Sequence, residues 1–131
     1  MSTRIASCSC GQLKAEVTEE PVRVSVCHCL NCQRRTGSVF AAQARFPRQH
    51  VTIFGQGTEF VLAGDEGTKA TFTFCPRCGA TVFYVMDAVQ DVVAIPIGAF
   101  ADPTFPTPTT SVFEERMHSW LSLPDDMEHI A

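Results

Sequence analysis

Basic residues are scarce in this sequence. Ten lysines and arginines stand against fourteen aspartates and glutamates, a formal charge of −4 over 131 residues. Sequence-independent nucleic-acid binding needs a basic footprint, so this balance argues against a nucleic-acid partner. Long apolar runs are missing too. None approaches the ~18 residues of a membrane span, and the opening MSTRIASCSCG has no apolar h-region. The expectation is a protein without a membrane partner, working in the cytoplasm. A sustained helical period is absent from every window, which argues against a helical bundle. GQGTEF (residues 55–60) begins like a dinucleotide fingerprint but lacks the third glycine and a following helix, and reads as a hairpin turn.

What is present is a globular composition, 45% hydrophobic and 18% charged, on a length that suits one domain across residues 1–131. Eight segments are rich in Val, Thr, Phe and Ile, and several alternate apolar with polar residues as half-buried strands do. They are KAEVTE (14–19), VRVSV (22–26), VFAAQARF (39–46), HVTIF (50–54), TEFVLA (58–63), KATFTF (69–74), ATVFYVM (80–86) and DVVAIPI (91–97). Turn signals separate them, AGDEG at 63–67 among them. One helical turn is predicted over residues 30–36. ADPTFPTPTT (101–110), with three prolines and four threonines, reads as an extended crossing segment. A last ordered stretch follows at 111–120, and 124–131 reads as a tail. The fold class is mainly β.

Seven cysteines are the exceptional feature. An odd number cannot all pair within the chain, and a reducing cytosol disfavours structural disulfides. They also cluster, as Cys8 and Cys10, then Cys27, Cys29 and Cys32, then Cys75 and Cys78, which is the habit of metal ligands. In Phe74-Cys75-Pro76-Arg77-Cys78-Gly79, proline sets φ at the first turn position and glycine supplies the positive φ of the return. Two thiolates so placed are half of a closed tetrahedral zinc site. Cys8 and Cys10 offer the other half, since residues i and i+2 of an extended chain point the same way. Cys8, Cys10, Cys75 and Cys78 therefore form a structural four-thiolate site.

Three thiolates remain, Cys27, Cys29 and Cys32. A zinc with three protein ligands and an open position is the pattern of a catalytic site. The competing reading is a second structural site completed by a distant histidine, His50 or His118. His28 lies between two ligands that point one way and should point the other, either as a hydrogen-bonded loop histidine or as a proton donor or acceptor. Arg34 and Arg35 follow directly. They can meet the carboxylates of a peptide thiol, or stay solvated and hold the loop. Trp120 and the phenylalanines are either pocket walls or ordinary core.

Three thiolates make zinc electron-rich and a poor source of hydroxide. They suit it instead to a soft fourth ligand, above all another thiol, held as the nucleophilic thiolate. Thiol addition to an aldehyde carbonyl is the chemistry that fits. The alternatives are a non-catalytic zinc module that binds a partner, and a redox C-x-x-C pair at Cys29 and Cys32, which the missing βαβ pattern disfavours.

CxCG near the start, CHCxxC followed by Gln33-Arg34-Arg35-Thr36-Gly37, and FCPxCG together resemble the glutathione-dependent formaldehyde-activating enzyme family, which shares its domain with centromere protein V. Residues 113–120 resemble that family's closing segment. The resemblance implies a β-tent fold of packed antiparallel sheets and two zinc ions per chain. It also implies the same division of the cysteines, structural zinc on Cys8, Cys10, Cys75 and Cys78 and catalytic zinc on Cys27, Cys29 and Cys32. The implied activity is carbon–sulfur lyase chemistry, with glutathione and formaldehyde giving S-hydroxymethylglutathione.

Overall fold

Alternation of apolar and polar residues takes the chain into two sheets in the computed structural model, which describes residues 3–64 and 67–130. The tip of the 63–67 turn signal and the last residue of the 124–131 tail lie outside the described residues. The smaller sheet holds β1 (Arg4–Ser7), β2 (Lys14–Val17) and β5 (Val51–Phe54) in the order β1-β2-β5, antiparallel throughout. The larger sheet contains β3 (Arg23–Cys27), β4 (Ala41–Pro47), β6 (Thr58–Ala63), β7 (Lys69–Phe74), β8 (Thr81–Met86), β9 (Val89–Pro96), β10 (Thr110–Val112) and β11 (Glu128–Ile130). Its order is β11-β10-β3-β4-β9-β8-β7-β6. Only β10 breaks the antiparallel rule, pairing in parallel with both β3 and β11.

The larger sheet is covered differently on its two faces. Val24, Ala44, Phe46, Val93 and Ile95 meet Ala6, Leu13, Ala15 and Val17 of the smaller sheet in the main core. Leu13, Val17, Phe46 and Ile95 are fully buried there, and each such side chain contributes about 1.5–3 kcal/mol of hydrophobic stabilisation. Strand alternation sends Arg23, Ser25 and Cys27 to the other face. That face carries a smaller cluster of Phe72, Tyr84 and Ala94, with Leu62, Ala70 and Met86 beside it. One helix, α1 (Leu30–Thr36), caps it and closes with Gly37 at φ +71°.

Each of the eight expected segments has its strand, and the expected helical turn is α1. Three short strands add to them. The 101–110 segment turns at Asp102, whose carboxylate accepts the Thr104 N–H at 2.9 Å. It is pinned by buried Phe105 stacked 4.8 Å from Phe100, and then enters β10. Residues 128–130 of the expected tail form β11. The 55–57 turn is not a hairpin, because it carries the chain from β5 in one sheet to β6 in the other. Its glycines serve close approach: a Cβ on Gly55 would lie 1.9 Å from the Gln12 carbonyl oxygen, and one on Gly57 would lie 2.3 Å from Thr73.

Candidate metal centres and the adjoining cleft

Two tight turns bring the first four thiols together. The Gly11 N–H donates to the Cys8 carbonyl at 3.1 Å, and the Gly79 N–H to the Cys75 carbonyl at 2.8 Å. Both glycines take positive φ, +87° and +81°, which they adopt without a Cβ clash. The Cys8–Cys10 segment is therefore a turn and not the extended chain expected from its spacing. Cys10 Sγ lies 3.6 Å from both Cys8 Sγ and Cys75 Sγ, and all four sulfurs fall within 4.8 Å of one another. A disulfide needs about 2 Å. Thiolates around a tetrahedral zinc, with Zn–S near 2.3 Å, sit about 3.8 Å apart, so the donor set fits such an ion.

Neighbouring donors already favour thiolate. The Leu13 N–H points at Cys8 Sγ and the Arg77 N–H at Cys75 Sγ, each at 3.3 Å. The Gln12 side-chain amide reaches Cys75 Sγ at 2.9 Å. Burial works against ionising Cys75, but these donors outweigh it and bring the thiol down to about 6. Cys10 receives a backbone hydrogen bond from Gln12, yet burial and the other thiols push it up to about 11. Cys8 and Cys75 are buried, whereas Cys10 and Cys78 are exposed. The group ties the β1–β2 connection to the β7–β8 connection, and so one sheet to the other.

The three remaining thiols also lie within 4.8 Å of one another. Cys27 ends β3, Cys29 is the N-cap of α1, and Cys32 is one turn inside the helix. Cys29 Sγ accepts the Cys32 N–H at 3.3 Å, so one sulfur both caps the helix and faces the group. Hydrogen bonding with Cys27 and Cys29, helped by the Arg35 guanidinium, lowers Cys32 to about 6. Cys27 moves up, driven by its bond with Cys32 and then by burial. Burial raises Cys29. Among the described residues no histidine or carboxylate joins this group. His118 instead bonds the Gln33 amide oxygen at 3.0 Å, and His50 sits in the turn Arg48–His50 before β5.

His28 is fully buried. Its Nε2 lies 3.0 Å from Ser111 Oγ on β10, and its backbone N–H donates to Val112. Nearby, Glu114 accepts from His129 Nδ1 at 2.6 Å, and Ser111 and His129 hold its carboxyl below the usual range. The other ring nitrogen of His28 is its Nδ1. That Nδ1 is buried without a partner. Burial lowers the His28 pKa, partly opposed by Glu114, and keeps the ring neutral. Gln33 completes the brace by donating to the His28 carbonyl at 2.8 Å and the Arg116 carbonyl at 3.0 Å.

A cleft of about 580 Å³ opens beside Cys29, with Arg34, Met86, Phe113 and Arg116 among its walls. Across α1, a second depression of about 470 Å³ lies between Arg34 and the ring faces of Phe60, Phe72 and Phe74. Arg34 is shared by both and is exposed. Arg35 lines the second depression only. Its guanidinium stacks 4.5 Å from the Phe72 ring centre and 5.3 Å from that of Tyr84, and its charge favours the Cys32 thiolate. Trp120 lines neither depression and is 69% exposed, its ring edge-on to His118.

Sequence reasoning passed over Ser111, Gln33 and Phe113. Phe113 holds φ +58°, a left-handed conformation that is strained for an aromatic residue, at the wall of the Cys29 cleft. Gln33 and Phe113 fall in motifs quoted above, but no local signal gives their roles. Their importance comes from β10 arriving beside β3 from far along the chain.

Comparison with known proteins follows this geometry. The sequence profile described as "Glutathione-dependent formaldehyde-activating enzyme" matches residues 3–116. No curated protein gives a significant match. Among solved structures, a crystal structure of a Rhodobacter sphaeroides protein superposes with a TM-score of 0.57 at 20% identity. The match covers 76% of this chain and 91% of that one, and it supports the fold.

Proposed function

This chain belongs to the glutathione-dependent formaldehyde-activating enzyme family, and from that premise we propose that it adds a thiol to formaldehyde or another small aldehyde. The reaction is RS–H + H₂C=O → RS–CH₂–OH: a carbon–sulfur bond forms and the thiol proton ends on oxygen. With glutathione the product is S-hydroxymethylglutathione, and the reverse direction is a carbon–sulfur lyase step. One observation carries the reading, namely that three thiols without a fourth protein ligand among the described residues open at Cys29 onto a cleft.

Cys8, Cys10, Cys75 and Cys78 would hold a structural zinc, and Cys27, Cys29 and Cys32 a second. When bound there, the second zinc supplies a soft open position that favours the thiolate form of an incoming thiol. The chain's own residues do the rest. Arg34 and Arg116, both lining the cleft, meet the carboxylates of a peptide thiol. Phe113 and Met86 form its apolar walls. Arg35 balances charge on Cys32. His28 is an anchor, since its ring faces Ser111 and it holds the Cys27–Cys29 segment against β10.

The test loads the protein with zinc and follows formaldehyde consumption with glutathione and with small thiols, above the uncatalysed background. With cobalt in the three-cysteine group, thiol addition should alter the metal spectrum. A metal-loaded protein whose spectrum no thiol changes would instead be a binding module.

A further inference from the structure

Antiparallel pairing puts Arg23 of β3 directly opposite Arg45 of β4. The same row continues through Ala94, Tyr84, Phe72 and Phe60 across β9, β8, β7 and β6. Directly opposed side chains are close neighbours on one face, and like charges so placed repel. Natural sheets put a carboxylate across from an arginine. Here, among the described residues, neither guanidinium has one, because the ion pairs found are Arg4 with Glu20 and His129 with Glu114. Arg23 Nε is buried with no hydrogen-bond partner. The contact Arg45 makes is a weak one, 3.8 Å to the thioether sulfur of Met86. Arg45, Tyr84 and Ala94, the small residue next in the row, line a shallow opening of about 10 Å³.

We propose that Arg23 and Arg45 form a binding site for an oxyanion, a carboxylate or a tetrahedral anion such as sulfate or phosphate. A guanidinium fork presents paired N–H donors that match two anion oxygens, and two forks in register can hold one anion from both sides. The anion supplies the missing counter-charge and the acceptor that the buried Arg23 Nε lacks. Burial and the Arg23 charge both disfavour the protonated form of Arg45, as expected of a cation whose partner is absent. On the sheet, Arg23 lies four residues before Cys27 on the same face. That is roughly 13 Å at about 3.3 Å per residue. The anion can therefore be a free ion or the remote carboxylate of a thiol held at the three-cysteine group. The second source rests on the proposed function; the site itself does not.

The experiment titrates sulfate and acetate into zinc-loaded protein by calorimetry, with chloride at matched ionic strength as control. Saturable binding is expected, weakened at least tenfold in Arg23→Gln and in Arg45→Gln and by less in Arg45→Lys, which keeps the charge but loses the fork. In anion-free buffer, Arg45→Gln should melt at the same temperature as the parent or higher, since it relieves repulsion. A lower melting temperature there would mark a structural pair and overturn the proposal, as would an absence of binding beyond chloride or unchanged affinity in both glutamine variants. Competition names the source. Displacement of sulfate by glutathione at a concentration at least tenfold below that of its alanine analogue, which has the carboxylates but no thiol, assigns the site to the substrate carboxylate, and equal or no displacement by the two assigns it to a free anion. Thiol binding read on the cobalt spectrum is separate, so failure of the thiol reading and failure of the anion site are told apart.

Discussion

Around Cys8, Cys10, Cys75 and Cys78 the chain gathers four thiols, as many as a tetrahedral ion takes, and joins two sheets. Around Cys27, Cys29 and Cys32 it supplies three, and spends its other polar groups on holding the loop still. The first group is braced by backbone turns of its own, each closed by a glycine. The second is braced from outside, through Ser111 and Gln33. A site that must hold a shape can be built locally. A site that must stay open needs support from elements that do not fill it.

The largest effect that can break this comparison is a ligand exchange. Metal at a four-thiolate site contributes about 10–16 kcal/mol, as much as the roughly 5–15 kcal/mol of net stability in a whole domain. Cys75→Ser should therefore lack folded structure by circular dichroism. Cys29→Ser should fold and retain one metal equivalent by mass spectrometry. If both variants unfold, the two groups do the same job.

Graded chelation tests the same contrast without mutation. The three-cysteine group should release its metal at a chelator concentration at least tenfold lower, with the far-ultraviolet spectrum unchanged. Simultaneous release would erase the distinction. A smaller effect is expected of Ser111→Ala, which leaves a second buried nitrogen of His28 without a partner and costs about 1–3 kcal/mol. Its thermal midpoint should fall by several degrees while the four-thiolate metal stays bound.

Smaller again is the electrostatic effect of Arg35. In protein stripped of metal at the three-cysteine group alone, alkylation of Cys32 should rise with pH through about 6 as the thiolate forms. Removing the guanidinium in Arg35→Ala takes away a charge that favours thiolate, so the midpoint should move up. A midpoint that stays put would mean the thiols alone set it. Trp120→Ala should do least, within about 0.5 kcal/mol in denaturant unfolding, since the ring is 69% exposed.

Strands with alternating side chains were legible because one face of each meets a core; Val24 and Ala44 are examples. β10 and β11 were not. Each is three residues long, and every residue of β11 is exposed, so no alternation can betray it. The cysteine groups were legible because C-P-x-C-G and C-H-C-x-x-C are local patterns. The Cys8–Cys10 turn was misread as extended because a two-residue spacing fits both geometries, and only the Gly11–Cys8 hydrogen bond decides between them. Arg35 read as either a carboxylate partner or a solvated loop brace, because its ring partners Phe72 and Tyr84 lie far along the chain.

Parallel pairing of β10 with β3 also sets an order of assembly during synthesis. All four ligands of the inter-sheet group have left the ribosome's active centre once residue 78 is made. Ser111, which seats His28, comes 33 positions later by the numbering (111 − 78). At about 5–20 residues per second that is a lag of roughly 2–7 s. During that interval the nascent chain can close its first metal knot while Cys27, Cys29 and Cys32 still sit on an unbraced loop. If the proposed metals bind, the cell's metal supply meets the two groups one after the other, the four-cysteine group first.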